Sequence, residues 1–278
     1  IPQDVLSGVV EFADDEFEVP PHRYRPVLGP RPCAAGVQQA AQLLRTARRP
    51  LIVAGGGVVA SGADAQIRAL AKLLQAPVVP TQMALGVVPT SSPHFVGHGG
   101  LIAGEPVRAA FEQADVVLSV GCRFSSWMWD EQGPLMRRSH QVVNVNIDPS
   151  ALGHPALHEV ALQADAAQAL DDLLAALQAL PPTQVDPAWL GERRSARKTY
   201  EDGLQALAHS PTEAGQPIHP AALALAVAEA LPFQQVVYLP ASLLAGLTPL
   251  EAAPRVLATQ LAWVVGLGVV SRLAQARA

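Results

Sequence analysis

Residues 50–62 read Pro50-Leu51-Ile52-Val53-Ala54-Gly55-Gly56-Gly57-Val58-Val59-Ala60-Ser61-Gly62. The apolar run at 51–54 stops at three consecutive glycines, and a helical pattern follows. A short apolar run bounded by glycine predicts a buried strand. Glycines at its carboxyl end leave no side chain there, so a ligand can come close to the backbone. Open N–H groups and the start of the next helix favour an anion such as a diphosphate. A tight strand-to-helix turn with no ligand accounts for the same residues, and both readings stay open.

The surroundings repeat the strand–helix alternation. Upstream, Val37, Ala40, Ala41 and Leu44 share one helical face, which predicts a helix over 33–48 that ends before Pro50. Downstream, Ser61 is placed to cap a helix with a stripe of Ile67, Leu70, Ala71 and Leu74. Residues 77–81 form a second apolar run. A loop rich in glycine and proline follows over 82–104, with one extended run at 94–96. Val107, Ala110, Phe111 and Ala114 mark another helix, and 114–121 is the clearest buried strand. Further strands are expected at 141–147 and 159–163. Asp165 then stands at an N-cap position before a helix carrying Leu170, Leu173, Leu174 and Leu177.

This order predicts an α/β fold: a doubly wound parallel sheet of roughly five to six strands, with helices on both faces and right-handed crossovers. Residues 33–180 hold that domain. Residues 1–32, rich in proline, read as a linker running over a surface. Residues 181–217 read as a helical connector whose charged stretch, 189–209, is solvated. Beyond it His219-Pro220 opens a helix, 235–239 reads as a strand, and 240–278 are apolar and rich in alanine and glycine.

The chain has 278 residues, half of them hydrophobic and 15% charged, which is enough for a core without metals or disulfides. The net charge of −5, with scattered Arg and Lys, argues against a nucleic-acid surface. Cys33 and Cys122 have no metal-type spacing and read as free thiols in a reducing compartment. The apolar stretch at 261–270 is too short to span a bilayer.

In an open α/β sheet, ligands bind beyond the carboxyl ends of the strands. Here those ends carry Gly55-Gly56-Gly57, Thr81-Gln82, Gly121-Cys122-Arg123, Asn146-Ile147-Asp148 and Ala164-Asp165. Arg123 suits a phosphate or a ribose, and a surface ion pair is its alternative reading. Asp148 or Asp165 could accept hydrogen bonds from ribose hydroxyls, although Asp165 could equally act only as a helix cap. The rim reads as an adenine-nucleotide site. Residues 55–60 fit G-x-G-x-x-A, but the second strand ends Pro80-Thr81-Gln82 with no acid to hold a ribose, which disfavours an ordinary NAD dehydrogenase. His98, between two glycines, is the one histidine singled out, and it reads equally as a ligand contact or as an exposed loop histidine. Trp127 and Trp129 read as packing residues or as walls for an aromatic ligand.

Several stretches, in this order and spacing, resemble thiamine-diphosphate-dependent enzymes of the acetolactate synthase / 2-hydroxyacyl-CoA lyase family. They are Arg49-Pro50-Leu51-Ile52-Val53-Ala54-Gly55-Gly56-Gly57, Pro77-Val78-Val79-Pro80-Thr81, the run from Ala114 to Phe124, and Asn146-Ile147-Asp148-Pro149. The opening Ile-Pro-Gln-Asp-Val resembles the end of the family's pyrimidine-binding domain, and His219-Pro220 onward resembles the opening of its diphosphate-binding domain. The resemblance implies that 1–32 are the end of the preceding domain with a linker and that 218–278 are the start of a second, partial α/β domain. The resemblance implies a parent carboligase or decarboxylase acting on 2-oxo acids or 2-hydroxyacyl substrates, with thiamine diphosphate and Mg²⁺. It implies a cytoplasmic dimer or tetramer whose central domain holds ADP or FAD. The implied contacts are Gly55, Gly56, Gly57, Thr81, His98, Gly121, Arg123, Asn146, Ile147 and Asp165. The family's activating glutamate lies in the preceding domain, and its Gly-Asp-Gly metal motif lies in the last. Neither motif is found in these residues, although Gly266-Leu267-Gly268 resembles a segment shortly before the second. The expected polypeptide is therefore catalytically incomplete, with the missing domains of the parent as its partners.

Overall fold

The computed structural model describes residues 7–9, 11, 19–23, 29–101, 103–125, 128–130, 133–137, 139–153, 157–210 and 219–230. The opening segment at 1–6, Trp127, the strand expected at 235–239 and the glycine pair at 266–268 lie outside the described residues.

Five parallel strands form the sheet: β1 (Pro50–Ala54), β2 (Val78–Pro80), β3 (Val116–Val120), β4 (Gln141–Asn146) and β5 (Val160–Gln163). Their order is β2-β1-β3-β4-β5. β1 and β3 are buried along their whole length, as near-continuous Val, Leu and Ile runs require of strands covered on both faces. The sixth strand does not form as an element. Residues 94–99 run beside β2 through isolated bridges at Phe95 and Gly99, and Gly99 N–H donates to the Pro80 carbonyl at 2.9 Å.

Side-chain alternation separates two cores. On one face Ile52, Ala54, Leu118, Val120, Val143 and Val145 pack with α1 (Ala34–Thr46), α3 (Asp64–Leu74) and α5 (Ala166–Gln178). On the other, Leu51, Val53, Val117 and Val142 pack with α4 (Glu105–Gln113) through Val107, Ala110 and Phe111. The period of two along each strand places successive residues in different cores.

Two expectations are corrected near the glycine run. The residues after Gly55 form a separate short helix, α2 (Gly56–Ser61), which ends at Gly62 in the left-handed conformation, φ +65°. Ser61 is therefore a helix end and not a cap: its hydroxyl donates back to the Gly57 carbonyl at 2.9 Å. The N-cap of α3 is Ala63, which has no side-chain bond.

The charged helix, α6 (Trp189–Ala208), is present, but its start is not solvated. Trp189 is fully buried, and its indole N–H donates to the Pro50 carbonyl at 2.8 Å. The Arg193 guanidinium lies 4.8 Å from the Trp189 ring centroid and donates to Gln113 at the end of α4. Arg197 donates to the Phe95 carbonyl at 2.9 Å, and the Tyr200 ring lies against Gly104, the N-cap of α4. These contacts carry the first compact unit to Tyr200. In the second unit, α7 (Pro220–Ala230) starts on the proline, where a missing N–H costs nothing.

Candidate functional site

The strand order reverses between β1 and β3, since β1 leads outward to β2 while β3 leads to β4 and β5. A doubly wound sheet opens a crevice at such a switch point. A cleft of about 680 Å³ lies there, lined by residues that follow β1, β2 and β3. Of the implied contacts it brings together Gly55, Gly56, Gly57, Thr81, Gly121 and Arg123.

The glycines answer first to each other. A Cβ on Gly55 would run into the Gly121 carbonyl oxygen, and one on Gly57 would lie 2.7 Å from Gly121 Cα. Gly121 itself has φ +61°, a conformation that side chains disfavour. Gly55 N–H donates to the Val120 carbonyl at 2.8 Å, and Gly57 N–H donates to the Gly121 carbonyl at 3.1 Å. Two of the three N–H groups expected to cradle a diphosphate are thus already bonded inside the protein. The turn is a backbone-to-backbone joint between the ends of β1 and β3, as the tight-turn reading has it, and of the three glycines Gly56 alone faces the cleft without meeting Gly121.

The loop after β3 supplies the cleft's chemistry. Arg123 is exposed and is the only cation lining the cleft among the described residues. Phe124 is buried at φ +48°, a strained setting for a bulky residue and a frequent mark of a functional loop. Cys122 lines the cleft, but burial pushes its thiol up to about 12, which disfavours the thiolate, and its one S–H is shared between the Val53 and Val120 carbonyls, each 3.5 Å from Sγ. Met83, 77% exposed, and Met128 add soft thioether surface, while Gln82 and Ser125 add polar atoms. The sequence reading passed over Met83, Phe124, Ser125 and Met128 as ligand contacts. No local motif marks them, and only the chain path brings them together.

The other implied contacts do not line the cleft. Asn146 braces it from behind: its Nδ2 donates to the Cys122 carbonyl at 2.8 Å and its Oδ1 accepts from Asp148 N–H at 3.0 Å. Ile147 is exposed beyond β4. Asp165 caps α5, accepting from Gln168 N–H at 3.2 Å, and it packs on Gly29. His98 is half-buried beside Gly99, burial lowers its pKa, and its Nδ1 has no partner among the described residues. The Asp148 carboxylate accepts from the Ser150 hydroxyl at 2.7 Å and from its N–H at 2.9 Å. Those two bonds, with a smaller contribution from the Arg123 charge, hold it below the usual carboxylate range.

The donor set does not fit Mg²⁺-bound thiamine diphosphate. Mg²⁺ is a hard cation that takes carboxylate oxygens, and no carboxylate lines this cleft among the described residues. Nor does any group of three His, Cys, Asp or Glu converge elsewhere among them. No described helix is long and apolar enough to cross a membrane.

Comparison with known proteins gives consistent matches. The family described as "Thiamine pyrophosphate enzyme, central domain" matches residues 37–173. The probable acetolactate synthase large subunit of Methanocaldococcus jannaschii is 31% identical over 182 residues, 65% of this chain and 30% of that one. The acetolactate synthase isozyme 1 large subunit of Escherichia coli K12 is 30% identical over 189 residues, 68% of this chain and 32% of its own. A solved chain from Mycobacterium smegmatis, described as a thiamin diphosphate-dependent enzyme, aligns at 24% identity with a TM-score of 0.47, covering 54% of this chain and 28% of that one. The chain spans about 30% of the length of the curated relatives it matches.

Proposed function

Residues 37–173 belong to the central-domain family of thiamine pyrophosphate enzymes, and from that premise we propose that the chain serves as the middle part of an acetolactate-synthase-like carboligase or decarboxylase. The enzyme acts on 2-oxo acids or 2-hydroxyacyl substrates. This part holds the other domains in place and offers an anion-binding cleft, and the thiamine chemistry is done elsewhere. One observation carries the reading: the central-domain match coincides with a switch-point cleft that has a cation but no carboxylate pair for Mg²⁺.

On this reading its partners are the remaining domains of the same enzyme and further copies, as a dimer or tetramer. It works in the cytoplasm, which its two free cysteines support. ADP and FAD are the ligands implied for the cleft; Arg123 suits their charge, and the closed glycine joint does not suit their diphosphate.

The test is turnover. The chain alone, given thiamine diphosphate, Mg²⁺ and a 2-oxo acid, is expected to release no CO₂ and to form no carboligation product above the protein-free rate. Sustained turnover by the purified chain would overturn the proposal.

A further inference from the structure

We infer that the cleft is built for a ring-bearing ligand with a single phosphate, and that it discriminates against diphosphate ligands such as ADP and FAD. The inference rests on the reading of the switch-point cleft as a ligand site and narrows what that site takes.

The first argument is the closed joint. An extended diphosphate needs a run of backbone N–H groups and room to lie against them. Here the Gly55 and Gly57 N–H groups are bonded to Val120 and Gly121. A Cβ on Gly57 would already lie 2.7 Å from Gly121 Cα, so no ligand atom passes between the two turns. Gly55 and Gly57 are taken up by protein backbone, and of the three glycines Gly56 alone keeps its N–H for the cleft, which is short of the run of donors an extended diphosphate needs.

The second argument is charge. Among the described lining residues Arg123 alone is cationic. A guanidinium pairs well with one phosphate, in a bidentate fork. A second phosphate would find no second cation among the described lining residues, where Met83 and Met128 present thioethers and the Cys122 thiol is buried. Leaving an anion without one in a partly enclosed site is unfavourable.

The third argument is the rest of the wall. The thioethers of Met83 and Met128 suit the edge or face of an aromatic ring. Met128 is seated on Gly99, where a Cβ would come within 2.9 Å of its Cε, so the position of this thioether is set by the loop beside β2. Thr81 and Ser125 offer hydroxyls within the same cleft for ring or sugar polar atoms. One cation, two hydroxyls and a soft apolar wall describe a mononucleotide.

The experiment compares flavin mononucleotide with flavin adenine dinucleotide, which share one ring system and differ in the second phosphate and its adenosine. Each is titrated with the whole chain and followed by flavin fluorescence anisotropy; AMP and ADP serve as competitors. Flavin mononucleotide is expected to bind about ten-fold or more tighter than the dinucleotide, and AMP to compete better than ADP. Arg123→Ala is expected to weaken the mononucleotide by about ten-fold or more while leaving the thermal melt unchanged. Met83→Ala, at an exposed position, is expected to weaken it by a few-fold. Equal or tighter binding of the dinucleotide, or mononucleotide binding indifferent to Arg123→Ala, overturns the inference and leaves the cleft a ligand site. Binding by none of the four overturns both.

Discussion

Gly57 and Gly121, 64 residues apart in sequence, meet backbone to backbone: the Gly57 N–H donates to the Gly121 carbonyl at 3.1 Å, and a Cβ on Gly121 would lie 2.6 Å from Gly57 Cα. The contact locks the carboxyl ends of the two strands that flank the switch point. It shapes the cleft floor and takes the Gly57 N–H, as strand pairing takes the Gly55 N–H, leaving only that of Gly56 among the donors that a glycine turn can offer to a ligand.

The joint sets up a comparison of two glycines with nearly the same backbone angle. Gly121, φ +61°, abuts Gly57; Gly62, φ +65°, has nothing within 4 Å of its would-be Cβ. Gly62→Ala should lose only the left-handed penalty, about 1–2 kcal/mol. Gly121→Ala adds a displaced backbone, for a loss of roughly 3 kcal/mol or more, or about 6–12 °C in Tm. Equal melting temperatures for the two variants would show that the joint contributes nothing.

Burial also separates the two thiols. Cys33 is exposed and Cys122 is buried, with its pKa raised to about 12. A thiol reagent at neutral pH should titrate one cysteine promptly in the native protein and the second only on unfolding. Prompt modification of both would mean that the cleft opens down to Cys122. Cys33→Ser should abolish the fast phase.

Two histidines make stability depend on pH. His140 is buried; its Nε2–H donates to the Phe111 carbonyl at 2.7 Å and its Nδ1 accepts from Arg137 N–H at 3.1 Å, so the neutral ring is fully used. Burial first, and then the Arg137 charge, lower its pKa; the Phe111 ring faces it at 6.3 Å. His98 is lowered by burial too. A lowered folded pKa means that the unfolded chain binds the proton first. Stability should be flat above about pH 6.5 and fall as pH drops below it, by at most about 1.4 kcal/mol per pH unit for each histidine. Urea midpoints measured from about pH 8 to pH 5 check this, and His140→Gln should reduce the slope. A midpoint that rises on acidification would contradict the assignment.

Trp189 anchors α6 to the sheet. Removing a fully buried tryptophan costs about 3–5 kcal/mol, so Trp189→Ala should remove a large part of the unit's stability. Trp189→Phe keeps most of the volume but leaves the buried Pro50 carbonyl without its donor, a loss of about 1–3 kcal/mol. Chemical denaturation of both variants is the check, and a neutral Trp189→Ala would mean that the helix start is not part of the packed unit.

The sheet was legible because β1 is an apolar run, β3 and β4 are valine-rich runs broken only by Ser119 and by Asn144, and the stripes of α1, α3 and α5 repeat at helical spacing. Asp165 was legible as a cap because the signal is local. What escaped depends on partners far along the chain. No pattern within residues 50–62 tells that the glycine N–H groups bond to Val120 and Gly121. Arg193 and Arg197 read as solvent-facing charges because charge is what the sequence displays. The structure stacks one on Trp189 and sets the other 4.7 Å from the Phe95 ring centroid, and the ring contact offsets part of the desolvation that lowers the Arg193 pKa. Arg123 was found because a cation directly after a buried strand stands at the rim whatever the rest of the fold. Met83 and Met128 were missed because apolar residues in loops carry no sign of what they line.

The most direct test of the central claim, a thiamine-enzyme middle domain that does not itself hold the thiamine cofactor, is calorimetric titration of thiamine diphosphate into the chain with and without Mg²⁺. The expected result is no saturable heat in either condition. Tight, Mg²⁺-dependent binding would contradict the account.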